Sequence, residues 1–250
     1  NRISMMKKWG IGLMALVFLS VSCSSDDDGY RDLPQEDQNS LDDQAIVQYL
    51  EDHYFNPERG TIKRFDDETD EDDDFPSLKS LGVKLPSGVW VVKNPNVTAE
   101  GPSITDNISD SILISYNSMR FKASDEFTSD GGRLYETYLN PFYNTIYSTG
   151  TPAWDPIFYY RHITEEMTDM NIDLESFVIE GFVEGLKEFS STETSGVDLY
   201  NFQGVILVPS RLAYGRDFVY LGGNLDANTY RDNSFVFNFE LHKVVPRNND

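Results

Sequence analysis

Between Ser234 and Val245 the chain reads SFVFNFELHKVV. Side chains along a strand point to opposite faces in turn. Phe235, Phe237, Phe239 and Leu241 therefore share one face, and Asn238, Glu240 and His242 share the other. Three phenylalanines and a leucine on one face need a sheet that buries them against a second layer. Shorter stretches supply the rest of that sheet: Val89–Lys93 (VWVVK), Ser111–Tyr116 with Ile112, Ile114 and Tyr116 on one face, and Gly204–Val208, which Pro209 stops. One helix interrupts them. In Gly181–Phe189, Phe182, Leu186 and Phe189 recur at helical spacing. The pattern predicts an α+β domain over residues 80–250, a mostly antiparallel twisted sheet wrapped around one short helix. Residues 131–163 are rich in Tyr, Pro, Asn and Thr without a period and read as a long insertion carrying aromatic side chains. Residues 215–231 read as a long loop.

The first 79 residues differ in character. Met6-Lys7-Lys8 is followed by an apolar run, Ile11–Val21, of signal-peptide length and too short to span a bilayer comfortably. The residues before Met5 or Met6 read as lying upstream of a start. Residues 1–22 are expected to be a leader. It ends at Cys23, the single cysteine of the chain, in LSVSC followed by SSDDD. That arrangement resembles a bacterial lipobox, with Ser20 where leucine is usual, and the serine–aspartate run resembles the export tag of Bacteroidetes surface lipoproteins. It implies lipidation of Cys23 and a lipid-anchored protein of the cell envelope, on the periplasmic or surface face of the outer membrane. An ordinary signal peptide with an incidental cysteine is the alternative. Residues 23–79 are expected to form an acidic tether. Within it, Ile46, Tyr49, Leu50 and His53 predict a short amphipathic helix near 42–54 that packs on the main domain, with Asp42 or Asp43 as N-cap. Residues 66–74 hold eight acids in nine positions, without the alternating ligands, turn glycine and terminal glutamate of a calcium loop. They read as a self-repelling linker.

Charge and chemistry narrow the function classes. The net charge is −22, and residues 24–76 carry nineteen acidic against four basic side chains. Such a chain lacks the clustered cations that displace counterions from a nucleic acid. One cysteine rules out an intrachain disulfide framework and a cysteine-rich zinc site. The three histidines, His53, His162 and His242, are scattered. His162 with Glu165 and Glu166 lacks a third ligand, so no metal and no cofactor is expected.

Three stretches in order are distinctive: Val178–Leu186 (VIEGFVEGL), Val208–Gly215 (VPSRLAYG) and Asn233–Leu241 (NSFVFNFEL). Together they resemble the FKBP-type peptidyl-prolyl cis-trans isomerases, immunophilins that bind macrolides. Upstream, Ile112–Met119 is similar to the family's strand ending Y-x-G, and Glu126–Ser129 to its F-D-S-S. The resemblance covers about residues 85–246. It implies a pocket made of Tyr116, Phe127, Val178, Ile179, Phe182, Tyr214 and Phe237. Phe182 stands for the family's tryptophan, and Tyr214 is the hydrogen-bond donor to substrate. A further aromatic would come from Phe158, Tyr159 or Tyr160. The sequence departs from the family at Thr128 (for aspartate), at Ser118 (for glycine) and at Thr229–Asp232, where an Ile-Pro is absent.

The implied reaction suits the residues. Resonance gives an X–Pro bond a rotation barrier of about 18–20 kcal/mol, and exchange takes tens to hundreds of seconds. The twisted transition state carries less charge separation than the planar amide, so an apolar aromatic pocket favours it without nucleophile, proton shuttle or metal. Each tenfold of rate needs about 1.4 kcal/mol. The expected partners are proline-containing polypeptides, in the role of a folding catalyst or chaperone for exported proteins. A catalytically weak binding or chaperone module of the same fold, or an accessory envelope lipoprotein docking through the insertion, are the alternatives.

Overall fold

The computed structural model describes residues 32–66, 68, 70–126, 132–136, 138–195 and 200–248. The expected leader, Cys23 and Phe127 fall outside them. Helix α1, Gln35–Asp52, comes first. Its N-terminus suits the dipole, with Pro34 at the cap and Glu36 and Asp37 in the first turn. Its buried residues are Gln38, Asp42, Ala45, Ile46, Tyr49 and Leu50, one continuous helical stripe. The helix thus begins seven residues before the position expected from its apolar residues. Its first two inward positions are a glutamine and an aspartate, so the apolar period starts late. Asp42 is not a cap but a buried mid-helix side chain.

A hairpin of β1 (His53–Phe55) and β2 (Ile62–Arg64) follows, then a one-turn helix α2 (Leu78–Leu81). The main sheet contains β3 (Gly82–Lys84), β4 (Trp90–Lys93), β5 (Asp110–Lys122), β6 (Asn140–Asn144) and β7 (Ala153–Trp154). After α3 (Glu165–Asp169) and α4 (Glu180–Leu186) come β8 (Gly204–Val208), the hairpin β9 (Val219–Leu221) and β10 (Asn224–Asp226), and the long β11 (Asn233–Pro246). The sheet order is β3-β4-β8-β11-β5-β6, with β7 also on β5, and all its pairs are antiparallel. The insertion therefore adds two strands to the sheet edge, and the expected loop at 215–231 contains a hairpin.

Both faces of this sheet are covered. On β8, Ile206 and Val208 point to the layer that contains α4, with Phe182, Leu186, Phe237 and Phe239. Val205 and Leu207 point the other way, to Ala45, Ile46, Tyr49 and Leu50 of α1, with Trp90, Phe121 and Val236. The amphipathic helix expected near 42–54 is α1, longer than expected and packed on the opposite face of the sheet; the single helix expected within residues 80–250 is joined there by the short α3. The boundary at residue 80 is corrected too, because the compact unit runs Leu33–Asp250. Polar composition set these residues apart as a tether, since α1 presents acids to solvent and a narrow apolar stripe to the sheet. The acidic run is also not wholly a solvated linker. Asp72 is buried, and its carboxylate accepts a hydrogen bond from the Asp66 amide at 3.0 Å. Next to it Phe75 stacks on Tyr54 at 5.0 Å.

Helix α4 lies unusually close to the sheet. A Cβ on Gly185 would stand 2.7 Å from Ile206 Cγ2, and one on Gly181 would stand 2.4 Å from Val208 Cγ1. The two glycines of VIEGFVEGL are thus explained by close backbone approach. At the far end of β11 a polar network is buried instead. Thr192 and Thr194 each donate to Glu240 Oε1 at 2.9 Å, and the Asn201 amide donates to Oε2 at 2.6 Å. Thr194 has one proton and gives it to Glu240, so His242 Nδ1 donates to Thr194 Oγ1, 2.6 Å away. Nε2 of this neutral ring then accepts from Ser115 Oγ at 2.8 Å. Burial lowers the His242 pKa, opposed by Glu240. This network clasps Thr192, Thr194 and Asn201 to the sheet.

Candidate functional site

Four separate parts of the fold deliver the residues named by the sequence. Tyr116 projects from β5, Phe182 from the first turn of α4, and Phe237 from β11. Val178 and Ile179 immediately precede α4. Tyr214 sits just beyond a short 3-10 helix, Ser210–Leu212. Tyr116, Ile179, Phe182, Tyr214 and Phe237 all belong to one buried cluster, and half-buried Val178 packs against it. Phe182 and Phe237 rings meet at 4.6 Å. Six of the seven residues are thus brought together; Phe127 lies outside the described residues.

Two further aromatics complete the cluster. Phe158 stands edge-on to Tyr116 at 5.1 Å and to Phe182 at 5.0 Å, and lies 5.0 Å from Phe237. Of the three candidates at 158–160 it alone reaches these rings. Tyr159 turns away, its hydroxyl donating to the Asp106 and Asp110 carbonyls, and Tyr160 lies beneath the Arg247 guanidinium. The second is Phe142 of β6, which sequence reasoning missed. Its ring contacts Tyr143, Phe158, Tyr214, Tyr230, Phe235 and Phe237 at centroid distances of 4.6–6.4 Å. Nothing local marked it, because β6 is short, contains Pro141 and pairs with β5 across a bulge between Asn117 and Met119.

One of the sequence departures explains how Phe142 is placed. Ser118 stands where the family has glycine. Its hydroxyl donates to the Tyr143 carbonyl and accepts from the Tyr143 amide at 3.1 Å. This pins β6 to β5 and turns Phe142 toward the cluster. A second departure contributes a wall: Tyr230, in the segment lacking Ile-Pro, packs on Phe142 at 5.4 Å and on Tyr214 at 5.5 Å. The Arg120 guanidinium sits over its outer face.

The result is a closed aromatic cluster. Phe237 and Ile179 have no exposure, Phe182 has 1%, Tyr214 4% and Tyr116 7%. Phe142 and Phe158 occupy the space between the walls. The Tyr214 hydroxyl, expected to meet substrate, donates instead to the Phe177 carbonyl at 2.7 Å. Burial raises its pKa well above that of free tyrosine. Burial likewise pushes Tyr116 up to about 12, with Tyr143 adding to the effect. Both phenols are therefore neutral at physiological pH. Among the described residues the cluster contains no histidine, cysteine or carboxylate. What it offers is apolar surface, ring faces and phenol hydroxyls.

No protein-family model matches the chain, and no curated protein matches it. Solved structures do. FkpA from Escherichia coli aligns at 20% identity and a TM-score of 0.35, over 66% of this chain and 52% of its own. The chain thus spans about half of that protein. A peptidyl-prolyl cis-trans isomerase from Pseudomonas syringae pv. tomato aligns at 13% identity and a TM-score of 0.34, over 86% of this chain and 98% of its own. The N-terminal domain of FKBP42 from Arabidopsis thaliana aligns at 13% identity and a TM-score of 0.37, over 68% and 96%.

Proposed function

We propose that this chain is a peptidyl-prolyl cis-trans isomerase of the FKBP type, acting on exported polypeptides from a lipid anchor at Cys23 on the cell envelope. The observation that carries the reading is convergence. Tyr116, Val178, Ile179, Phe182, Tyr214 and Phe237 are scattered over 122 positions of sequence, yet their side chains meet in one cluster. Each alone would be ordinary core. The ordered set is what the motifs implied. In this reading Phe182 is the platform under the prolyl ring, and Phe237, Tyr116 and Val178 are its walls. Desolvation by these groups favours the twisted amide over the planar one.

Turnover requires Phe142 and Phe158 to yield the space they fill. A second reading follows from that packing: a binding module that keeps the architecture without turnover. One experiment decides between them, using the chain from Ser24 onward and a short X-Pro peptide followed by exchange spectroscopy. The isomerase reading expects the wild type to accelerate cis/trans exchange, Phe142→Ala to match or exceed it, and Phe182→Leu to lose most of the effect. Exchange that stays at the uncatalysed rate with both wild type and Phe142→Ala overturns it in favour of the binding module.

A further inference from the structure

The loop that carries Tyr214 is held by α1, on the far side of the sheet from α4. Asp42, with no exposure, is the central contact. Its Oδ2 accepts from the Ser210 amide at 3.0 Å, and its Oδ1 accepts from Gln38 Nε2 at 2.9 Å. Gln38 also donates to the Ala123 carbonyl, just past β5, at 3.1 Å. One residue on, Asp43 pairs with Arg211 at 2.9 Å. At the other end of the same loop, Arg216 donates to the Leu33 carbonyl at 2.7 Å and to Asp232 at 2.8 Å. Segment Pro209–Arg216 is therefore fastened to α1 and its lead-in at residues 210, 211 and 216, and Tyr214 lies between these points.

The choice of aspartate is informative. Position 42 lies on the stripe with Ala45, Ile46 and Tyr49, where leucine would bury apolar surface. A buried carboxylate is costly unless its hydrogen bonds are strong. The cation whose field reaches it, Arg211, is paired with Asp43. Burial indeed raises the Asp42 pKa against the pull of Ser210 and Gln38. The carboxylate sacrifices packing energy to fix one backbone amide at the start of the Tyr214 loop.

We propose that Asp42 is a positioning residue for the aromatic site: through Ser210 it sets where the Tyr214 ring stands against Phe142, Tyr230 and Phe235. The proposal rests on the isomerase reading of that cluster. It makes α1 a working part of the site rather than a piece of tether.

The test compares Asp42→Leu, which removes the acceptor but suits the apolar stripe, with Asp42→Asn, which keeps an acceptor oxygen for the Ser210 amide. Three readings are taken on each: urea midpoint, kcat/KM for an X-Pro peptide, and amide hydrogen exchange over residues 210–216. Asp42→Leu is expected to hold the midpoint within about 1 M of wild type, the gain in apolar burial offsetting part of the cost of the unpaired Ser210 amide, lower kcat/KM about tenfold, and speed exchange in 210–216 at least tenfold. Asp42→Asn is expected to stay within threefold of wild type in both. A folded Asp42→Leu protein with wild-type kcat/KM and exchange overturns the proposal. If Asp42→Leu fails to fold, Arg216→Gln, which cuts the Leu33 link, must show the same split of exchange from stability, or the proposal falls. Should the wild type show no turnover, faster exchange in Asp42→Leu would support the helix–loop coupling while removing the isomerase reading. Unchanged exchange would remove both.

Discussion

Replacing Tyr214 with phenylalanine separates what its ring does from what its hydroxyl does. The ring packs between Phe142, Tyr230 and Phe235, and phenylalanine retains it. The hydroxyl makes one bond, to the carbonyl of Phe177, and both residues are buried. Deletion leaves that carbonyl without its donor, a penalty of about 1–3 kcal/mol. With a urea m-value of roughly 2 kcal/mol/M, the midpoint should fall by about 1 M with m unchanged. Turnover should change far less. A substrate that takes the hydroxyl must first break the bond to Phe177, so one neutral hydrogen bond replaces another. The net difference is a few tenths of a kcal/mol, within about threefold in rate. Chemical unfolding and peptide exchange on the same preparation give both numbers. An unchanged midpoint together with a tenfold loss of kcat/KM would refute the argument, since it would mean the hydroxyl serves substrate and not Phe177.

Other outcomes follow from the same geometry. Phe142→Ala should lower stability by about 3 kcal/mol, the low end for a half-buried phenylalanine, read as a fall in urea midpoint; no change would place the ring outside the cluster. Gly185→Ala gains about 1 kcal/mol of helix propensity, yet its Cβ would stand 2.7 Å from Ile206 Cγ2, and overpacking of about 1–3 kcal/mol should win; a higher Tm would contradict the close α4–β8 approach. His53 stacks on Tyr49 at 3.8 Å and donates to its carbonyl at 2.7 Å, and burial lowers its pKa to about 4. The unfolded chain takes up that proton near pH 6.5 while the folded one does not. Stability should therefore decline as pH falls from 6.5 toward 4, by about 3 kcal/mol in total, and His53→Gln should flatten that slope in pH-dependent unfolding. Since no group in the aromatic cluster titrates near neutrality, peptide exchange should be flat between pH 6 and 8, and a bell-shaped profile would point to a catalyst elsewhere.

The elements legible in the sequence were those whose local pattern and tertiary role agree. β8 and β11 alternate or run apolar to within a residue of their ends, and α4 carries its apolar side chains at helical spacing. The cluster members on them were legible for the same reason. Phe142 was not, because its placement depends on Ser118 holding a bulged edge strand, a long-range bond with no trace in the residues around it. The early turns of α1 were hidden by Gln38 and Asp42, inward side chains whose partners, Ala123 and Ser210, lie far along the chain. The β9–β10 hairpin has three residues per strand, too few to show a period.

Trimming the chain at residue 80 would look harmless on composition, since what is discarded is acidic and hydrophilic. It would in fact peel Ile46, Tyr49 and Leu50 away from Trp90, Phe121, Val205, Leu207 and Val236. A greasy rear wall would then face water, ready to stick to its neighbours. Expression fragments meant to isolate the main sheet should therefore start no later than Leu33, or the bared face will drive them to aggregate.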